Sequence, residues 1–314
     1  MKKKFSLVIP VYKNQESIPA LLKVIEHMST ELDRDLEVVF VVDGSPDNSF
    51  NILSAQLESL QFPAKLISHS RNFGSFAAVR TGLAHCTGEY SCVMAADLQE
   101  PVSLFISMFR ELSQGECDVV VGTRDSRSDP FLSKVFSSVY WKLYRKFVVP
   151  DMPKSGVDVF GCNSVFRKQI LSLNESRTSL VALIYWLGFN RIEISYTRSR
   201  REFGVSSWTM KKKVEYMLDS VFSFTDLPIK VLLRLGVLGI LVSLCLGVLV
   251  LLSRFFGLIT EPGYSATVVL VMFFGALNLF GLGLAGEYAW RAYENTKQRP
   301  QSIIRIMVSN DNKY

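Results

Sequence analysis

The sequence predicts an α/β fold with a mostly parallel sheet, followed by an amphipathic helix on a membrane surface and by two transmembrane helices. Over residues 6–124, short apolar strand patterns alternate with amphipathic helix patterns, which is typical of parallel sheets covered on both faces. Residues 235–253 and 262–286 contain no charged side chain. Each of these stretches is long enough to cross hydrocarbon about 30 Å thick.

Strand and helix patterns follow one another along the first region. The strands are apolar runs that end at polar or glycine-containing turns, over residues 6–12, 36–44, 64–68, 90–97 and 118–124. The helices cover residues 18–28, 50–60 and 76–85 and a stretch that begins at Pro101, where a proline suits the first turn. Ligands bind outside the carboxyl ends of parallel strands. Asp43, Asp97 and Arg124 end or follow three of these strands, so we expect them to share one crevice.

The second half is organised around the membrane. Residues 131–208 are less regular, with aromatic-rich helices and a loop over residues 150–161. Residues 211–227 begin with three lysines and carry an apolar stripe at helical spacing, which predicts a helix lying in the membrane surface. We therefore divide the chain into a cytosolic domain, an interfacial helix, a two-span hairpin and a cytoplasmic tail, at residues 1–210, 211–228, 229–290 and 291–314.

Flanking charges predict the orientation of the hairpin. Basic residues precede and follow the two apolar stretches, whereas the short connection between them offers only Arg254. The positive-inside rule then places the first domain and both termini in the cytoplasm. Gly239, Ser243 and Gly247 recur every four residues in the first span. Such a face favours close helix packing and allows a homo-oligomer.

Charge and cysteine usage exclude several function classes. The net charge is +6, and basic residues are concentrated over residues 191–213, just before the first apolar stretch, which favours an anionic membrane surface over nucleic acid as the partner. The five cysteines include no C-x-x-C pair, and His27, His69 and His85 fit no metal or triad spacing. The G-x-G-x-x-G pattern at residues 281–286 lies inside an apolar stretch with no preceding strand. We therefore predict no disulfide framework, zinc site or dinucleotide site.

Seven motifs in a fixed order carry a family resemblance. They are VIPVY, VVDGSPDNS, SRNFG, MAADLQEP, GTRDSR, SGVDVF and RSRREFGVSSW. With them the chain resembles the family 2 glycosyltransferases, and among these the polyprenyl-phosphate hexosyltransferases: the dolichyl-phosphate mannose synthase group and the bacterial bactoprenol glucosyltransferases. The resemblance covers residues 5–228, and the two-span tail is similar to that of the bacterial members. It implies a GT-A-type, Rossmann-like catalytic domain.

The resemblance also implies a donor site and a metal site. It assigns donor binding to six residues: Pro10, Asp43, Arg71, Asn72, Asp97 and Arg124. Asp97 and Gln99 match the family's metal-binding loop, and their oxygens are hard ligands of the kind that Mg²⁺ or Mn²⁺ takes. Val42 and Ala95 stand where the family usually has acids. From the residues alone, Asp43 also fits a turn before Gly44, and Asp97 with Gln99 a strand-to-helix turn.

The acceptor site follows from the last two motifs. Asp158 matches the family's acid near the acceptor, and with Asp97 it is our predicted catalytic pair. A phosphate monoester, whose second pKa is about 6, is already largely ionised at neutral pH. Asp158 is therefore expected to orient the acceptor or the sugar more than to remove a proton. Arg198, Arg201 and Ser206 match the run R-x-x-R-x-x-G-x-S and are predicted to bind the acceptor phosphate.

The function implied is an inverting transfer of a hexose from a nucleotide sugar to a membrane polyprenyl phosphate (undecaprenyl or dolichyl phosphate), for cell-surface glycan assembly. UDP-glucose is the first candidate for the donor, followed by other UDP-hexoses and GDP-mannose. One alternative is a polysaccharide synthase of the same family, although more spans and a Q-x-x-R-W signature are usual there. Another is a non-catalytic membrane-bound nucleotide-binding scaffold, which Ala95 supports.

Overall fold

The computed structural model describes residues 4–124, 145, 149–153, 157, 159–175, 179–199, 218–257 and 263–310. The strands in these ranges are β1 (Phe5–Val11), β2 (Leu36–Val42), β3 (Ala64–His69), β4 (Tyr90–Val93), β5 (Val119–Arg124), β6 (Val159–Asn163), β7 (Arg191–Tyr196) and β8 (Ile304–Ser309). The helices are α1 (Ile18–Glu31), α2 (Ser49–Gln56), α3 (Ser75–His85), α4 (Val102–Gln114), α5 (Ser164–Ser172), α6 (Leu180–Trp186), α7 (Leu227–Phe255) and α8 (Tyr264–Thr296).

The described strands form one sheet in the order β7-β5-β6-β4-β1-β2-β3-β8. β1 pairs in parallel with β2 and β4, β2 with β3, and β5 with β7. β6 runs antiparallel to β4 and β5, and β8 antiparallel to β3. The mostly parallel α/β sheet expected from the sequence is confirmed.

Both faces of the sheet are covered, as the apolar strands predicted. Leu7 and Ile9 of β1 point to one face and pack in the cluster that contains Phe105 and Phe109 of α4. Val8 of the same strand lies in the opposite cluster, with residues of α3, α5 and α6. Because side chains alternate along a strand, a continuous apolar run places its residues in two cores rather than one.

One part of the predicted loop over residues 150–161 is wrong, because Val159 to Gly161 belong to β6. The glycine at position 161 suggests a loop, since glycine weakens a strand interior. Here it makes a close approach: a Cβ on Gly161 would lie 2.6 Å from Sγ of Cys92 on β4. A larger residue would not fit between β6 and β4 at this position, so the strand needs glycine here.

A buried carboxylate joins several elements at the amino end of the sheet. Glu37 of β2 accepts hydrogen bonds from Oγ1 of Thr87 at 2.8 Å and from the backbone N–H of Gly88 at 3.1 Å. Ser6 and Lys65 also donate to it. Burial alone would raise the pKa of Glu37, but these hydrogen bonds and the charge of Lys65 outweigh burial and hold the pKa below its ordinary value.

Residues 235–253 of the first apolar stretch and 264–286 of the second lie in the long helices α7 and α8, of 29 and 33 residues. Among the described residues, one segment, Leu270–Thr296 of α8, is long and apolar enough to cross a membrane. The sequence predicted two such spans. The helices contact one another where a Cβ on Gly239 of α7 would lie 3.1 Å from the ring of Phe274 on α8.

The end of the predicted interfacial helix is joined to α8. Residues 218–224 are helical, whereas residues 211–217 lie outside the described part of the chain. Arg291 of α8 donates to Asp219 at 2.8 Å and stacks on the Phe222 ring at 4.9 Å. These contacts hold the segment before α7 against the far end of the second long helix.

The chain after α8 returns to the sheet and forms β8, an element that the sequence did not predict. Leu66 of β3 pairs with Val308 of β8. The buried side chain of Asn310 accepts from the N–H of Ala64 at 2.7 Å and donates to the carbonyl of Leu57 at 2.9 Å. Part of the predicted cytoplasmic tail is therefore an edge strand of the first domain.

Candidate active site

The candidate site lies at the carboxyl edge of the sheet, in loops that follow neighbouring strands. The loops after β1 and β4 are in contact, because Oγ of Ser17 donates to the carbonyl of Ala96 at 2.8 Å. The loops after β2 and β3 are in contact as well. Gly44 has φ +58°, and a Cβ there would lie 2.2 Å from the carbonyl carbon of Arg71. Glycine is required at this position both for the backbone conformation and for the close approach.

Asp43 is buried, only 2% exposed, and its carboxylate binds the loop after β3. Oδ1 accepts from the N–H of Phe73 at 2.9 Å, and Oδ2 accepts from the N–H of Gly74 at 2.8 Å. Oδ1 also lies 2.8 Å from Nδ1 of His69. Asp43 therefore fixes the segment that carries Arg71 and Asn72.

His69 is a residue of this site that sequence reasoning missed. Its spacing fits no motif, but it ends β3 just as Asp43 follows β2. Since β2 and β3 are parallel neighbours, the two side chains had to lie at the same edge. Position at a strand end was the signal, rather than a sequence pattern.

Asp47 is a second missed residue, and it joins the loops after β1 and β2. Its carboxylate accepts from Oγ of Ser45 at 2.6 Å, from Oγ of Ser49 at 2.9 Å and from the N–H of Gln15 at 3.1 Å. Burial alone would raise the pKa of Asp47, but these hydrogen bonds outweigh it and lower the pKa. The carboxylate stays ionised and holds this turn in one shape.

Arg71 and Asn72 are both exposed in the loop after β3. The guanidinium of Arg71 stacks on the Phe73 ring at 4.0 Å and donates to the carbonyl of Asn72 at 3.1 Å. Arg124 ends β5, and Pro10 lies in β1 opposite Val41; each is partly exposed. The predicted donor residues thus come from β1, β5 and the loops after β2, β3 and β4.

Asp97, Gln99 and Glu100 form an acidic loop after β4, and this loop binds Arg198. Nη2 of Arg198 donates to Oε1 of Gln99 at 2.7 Å and lies 3.9 Å from Oδ2 of Asp97. Its Nε lies 3.6 Å from Oε1 of Glu100. The backbone of Ser199 binds the same loop. Its N–H donates to the Gln99 carbonyl at 2.9 Å, and its carbonyl accepts from Nε2 of Gln99 at 3.1 Å.

Arg198 therefore lies against the predicted metal loop, a juxtaposition that the sequence did not indicate. The sequence assigned Arg198 to the acceptor phosphate and Asp97 to the metal. The segment after β7 brings them together, since Arg198 and Ser199 both contact this loop. Three other predicted residues, Asp158, Arg201 and Ser206, lie outside the described residues.

The acidic loop fits a divalent cation that is shared with a ligand. Asp97 offers carboxylate oxygens, which suit Mg²⁺ or Mn²⁺, and Gln99 offers an amide oxygen of the same hard type, which also accepts from Arg198. Across the described ranges, no group of three or more His, Cys, Asp or Glu side chains converges as a metal site. Mg²⁺ commonly completes its coordination with water and substrate phosphates. The residues present thus fit a cation held jointly by the chain and by a diphosphate.

Comparisons with known proteins agree with the motifs. The model of the family described as glycosyl transferase family 2 matches residues 6–173. The chain is 28% identical to the bactoprenol glucosyl transferase of Shigella phage SfX, over 96% of this chain and 99% of that protein. It is 30% identical to the undecaprenyl-phosphate 4-deoxy-4-formamido-L-arabinose transferase of Sodalis glossinidius (strain morsitans), over 98% of this chain and 95% of that protein.

Solved structures resemble the first domain more distantly. Glucosyl-3-phosphoglycerate synthase from Mycobacterium tuberculosis, crystallised with Mn²⁺, UDP-glucose and phosphoglyceric acid, superimposes with a TM-score of 0.47 and 16% identity. The match covers 70% of this chain and 77% of that one.

Proposed function

Since this chain belongs to glycosyl transferase family 2, we propose that it moves a hexose from a nucleotide sugar to a membrane polyprenyl phosphate, in a GT-A-type catalytic domain. The observation that carries the proposal is the extent of the likeness. The bactoprenol and undecaprenyl-phosphate transferases match 96% and 98% of this chain, including the long helices as well as the sheet. Glucose from UDP-glucose is our first candidate for the sugar, with other UDP-hexoses and GDP-mannose next.

The donor is proposed to bind across the loops after β1, β2, β3 and β4. Asp43 fixes the segment with Arg71 and Asn72. The Arg71 guanidinium, exposed at the edge, suits phosphate oxygens, as does Arg124. Asp97 and Gln99 would hold Mg²⁺ or Mn²⁺ against the diphosphate. When bound, such a cation neutralises the negative charge that develops on the leaving nucleotide.

Transfer requires an ionised acceptor rather than a strong base. An acceptor phosphate oxygen attacks C1 of the hexose as the bond from C1 to the nucleotide diphosphate breaks, and the bonding electrons leave with the diphosphate. Attack from the face opposite the leaving group inverts the configuration at C1. Because the monoester is largely ionised at neutral pH, the proposed role of Asp158 is to orient the acceptor or the sugar.

Arg198 is proposed to lie where the two phosphate-bearing substrates meet. It contacts the acidic loop on one side, and it belongs to the segment that leads toward the membrane helices. Two further residues of that segment, Arg201 and Ser206, are proposed to complete the acceptor-phosphate site. Because its guanidinium lies beside Asp97, Arg198 would lie close to the donor diphosphate.

The path of the chain supports two membrane crossings. The sheet contains strands from before and after the long helices, since β8 pairs with β3. If α8 alone crossed a membrane, β3 and β8 would lie on opposite sides of it and could not pair. A second crossing by α7, whose 29 residues span about 44 Å as a helix, removes this conflict. We propose that the catalytic domain and both termini are cytoplasmic.

The direct test offers a panel of UDP- and GDP-sugars to membranes that contain the protein, with Mg²⁺ and a polyprenyl phosphate. We expect one donor to give a sugar-phosphate-lipid, identified by mass spectrometry. Asp97→Ala is expected to reduce its formation by about a hundredfold or more, whereas Ala95→Asp should preserve or improve it. Glu26→Ala, at an exposed carboxylate of α1, is the matched control.

The proposal would be contradicted if no donor yielded a lipid-linked sugar, or if a polymer were the product. Full activity of Asp97→Ala across magnesium concentrations would remove the metal assignment and leave the transferase assignment in place.

A further inference from the structure

A series of hydrogen bonds connects the segment just before β8 to the loop after β3, residues 70–74, which we call the donor loop. Oγ of Ser302, which lies just before β8, is 2.7 Å from Oγ1 of Thr81 on α3. Oγ1 of Thr81 is 2.9 Å from Nε2 of His69, and Nδ1 of His69 is 2.8 Å from Oδ1 of Asp43. Asp43, His69 and Thr81 are 2%, 2% and 6% exposed, so water competes little for these bonds.

The chemistry of the groups sets the direction of this chain. A carboxylate only accepts hydrogen bonds, so Nδ1 of His69 carries the proton shared with Asp43. In the neutral imidazole, Nε2 then accepts from the Thr81 hydroxyl, and the Thr81 oxygen accepts from Ser302. With this tautomer, the Ser302 hydroxyl donates to the Thr81 oxygen, which gives the buried Thr81 hydroxyl a second partner and ties it to the segment before β8.

The series of hydrogen bonds ends at Asp43, whose carboxylate shapes the donor loop. Asp43 receives the N–H groups of Phe73 and Gly74, next to Arg71 and Asn72. A second contact runs directly between the same segments: the N–H of Ser70 donates to the carbonyl of Ile303 at 2.9 Å. The tail thus contacts the donor loop at its beginning and, through His69, at its end.

We infer that Ser302, Thr81 and His69 are positioning residues of the donor site, and that the segment returning from the membrane helices completes this site. The inference rests on the proposed function, because that function assigns donor binding to Asp43, Arg71 and Asn72. None of the three positioning residues contacts the reacting atoms. They act by holding the Asp43 carboxylate in the one orientation that receives both backbone N–H groups.

The test uses full-length protein in detergent and measures binding of UDP and of GDP, each with Mg²⁺, by calorimetry. Ser302→Ala is expected to weaken binding of the preferred nucleotide by about threefold to tenfold, the usual effect of one hydrogen bond. Ser302→Thr keeps the hydroxyl and is expected to restore affinity. Ser309→Ala, the same change at an exposed site of β8, is the matched control and should have no effect.

Two further measurements separate positioning from a general loss of structure. In the transfer assay, Ser302→Ala should raise KM for the nucleotide sugar and leave KM for the polyprenyl phosphate and kcat unchanged. Thr81→Val breaks the same chain, so combining it with Ser302→Ala should weaken nucleotide binding less than the product of the two single effects.

Equal nucleotide affinity in Ser302→Ala and Ser309→Ala, with transfer intact, would overturn this inference and leave the proposed function standing. An equal rise of both KM values would also overturn it. Wild-type protein that binds neither nucleotide would contradict the proposed function, and the inference with it.

Discussion

At the scale of single residues, Arg198 makes contacts that its sequence assignment did not indicate. The motif indicated an acceptor-phosphate ligand, but the side chain contacts Asp97, Gln99 and Glu100. A divalent cation on Asp97 and the guanidinium of Arg198 would draw on the same carboxylate. Because Ala95 stands in place of a second acid, the loop has fewer carboxylates to offset the charge of Arg198. Repulsion between this guanidinium and a metal ion is therefore a larger effect.

We therefore expect Arg198→Gln to tighten Mn²⁺ binding in the absence of nucleotide by about twofold to fivefold, as loss of one partly exposed cation–carboxylate contact predicts. The free Mn²⁺ signal in electron paramagnetic resonance measures this affinity. In the transfer assay the same variant should raise KM for the polyprenyl phosphate.

Arg191→Gln is the control for this prediction. Arg191 begins β7, the strand that precedes Arg198, but it stacks on the Tyr185 ring at 4.6 Å. An unchanged or lower Mn²⁺ affinity in Arg198→Gln would show that the guanidinium does not compete with the cation.

At the scale of elements, the hydrogen bonds of Glu37 near the amino end of β2 predict how the free energy of unfolding depends on pH. Glu37 has a lowered pKa in the folded protein, so its carboxylate stabilises the fold fully above its unfolded pKa of about 4.5. This contribution is lost as the pH falls through the lower, folded value. Glu37→Gln should reduce the free energy of unfolding at pH 7 by about 3 kcal/mol, because Lys65 loses its buried partner.

Thermal unfolding of the full chain in detergent, followed by circular dichroism, measures this loss. The difference in Tm between wild type and Glu37→Gln should shrink as the pH falls below the unfolded-state pKa of about 4.5 and through the lower pKa of the folded protein. Glu26→Gln, at an exposed site of α1, should match wild type throughout. If Glu37→Gln and Glu26→Gln unfolded alike at pH 7, the buried carboxylate would not stabilise the sheet.

The predicted elements were those whose signal is local. β1, β2 and β5 contain runs of apolar residues, and α1 places Leu21, Leu22, Ile25 and Met28 on one buried face. β6 was obscured by Gly161, and β8 forms only because Asn310 and the β3 edge receive it. Such pairing joins residues far apart in the chain, and no local pattern specifies it.

The candidate site was predictable to the same extent. The positions of Asp43 and Asp97 follow from strand ends, whereas the contacts of Arg198 and His69 depend on which strands become neighbours. Motifs therefore identified residues in the loops at the carboxyl edge of the sheet, including Asp43, but missed His69 and Asp47, which help to hold these loops in place.

At the scale of the whole molecule, contacts join the two arms of the proposed hairpin to each other and join the chain after α8 to the sheet of the first domain. Arg291 near the end of α8 binds Asp219 before α7, and β8 pairs with β3. One glycine of the small-residue face, Gly239, packs on Phe274 within this hairpin. Close packing at Gly239 is thus explained inside one chain, and a homo-oligomer stays a prediction from the sequence.

If the two long helices cross the membrane as a hairpin, the connection between them and β8 lie on opposite sides of it. A reagent that cannot cross the membrane should then reach only one of the two. α8, with 33 residues, is about 50 Å long and exceeds the roughly 30 Å of hydrocarbon. In intact cells, a membrane-impermeant maleimide should label Phe256→Cys, an exposed position at the end of α7, and label Ser309→Cys only after permeabilisation. Wild-type protein, labelled in parallel, accounts for the native cysteines. Labelling of both positions from the same side would exclude the two-span arrangement. It would require α7 and α8 to lie along the membrane surface, since the pairing of β8 with β3 forbids a single crossing.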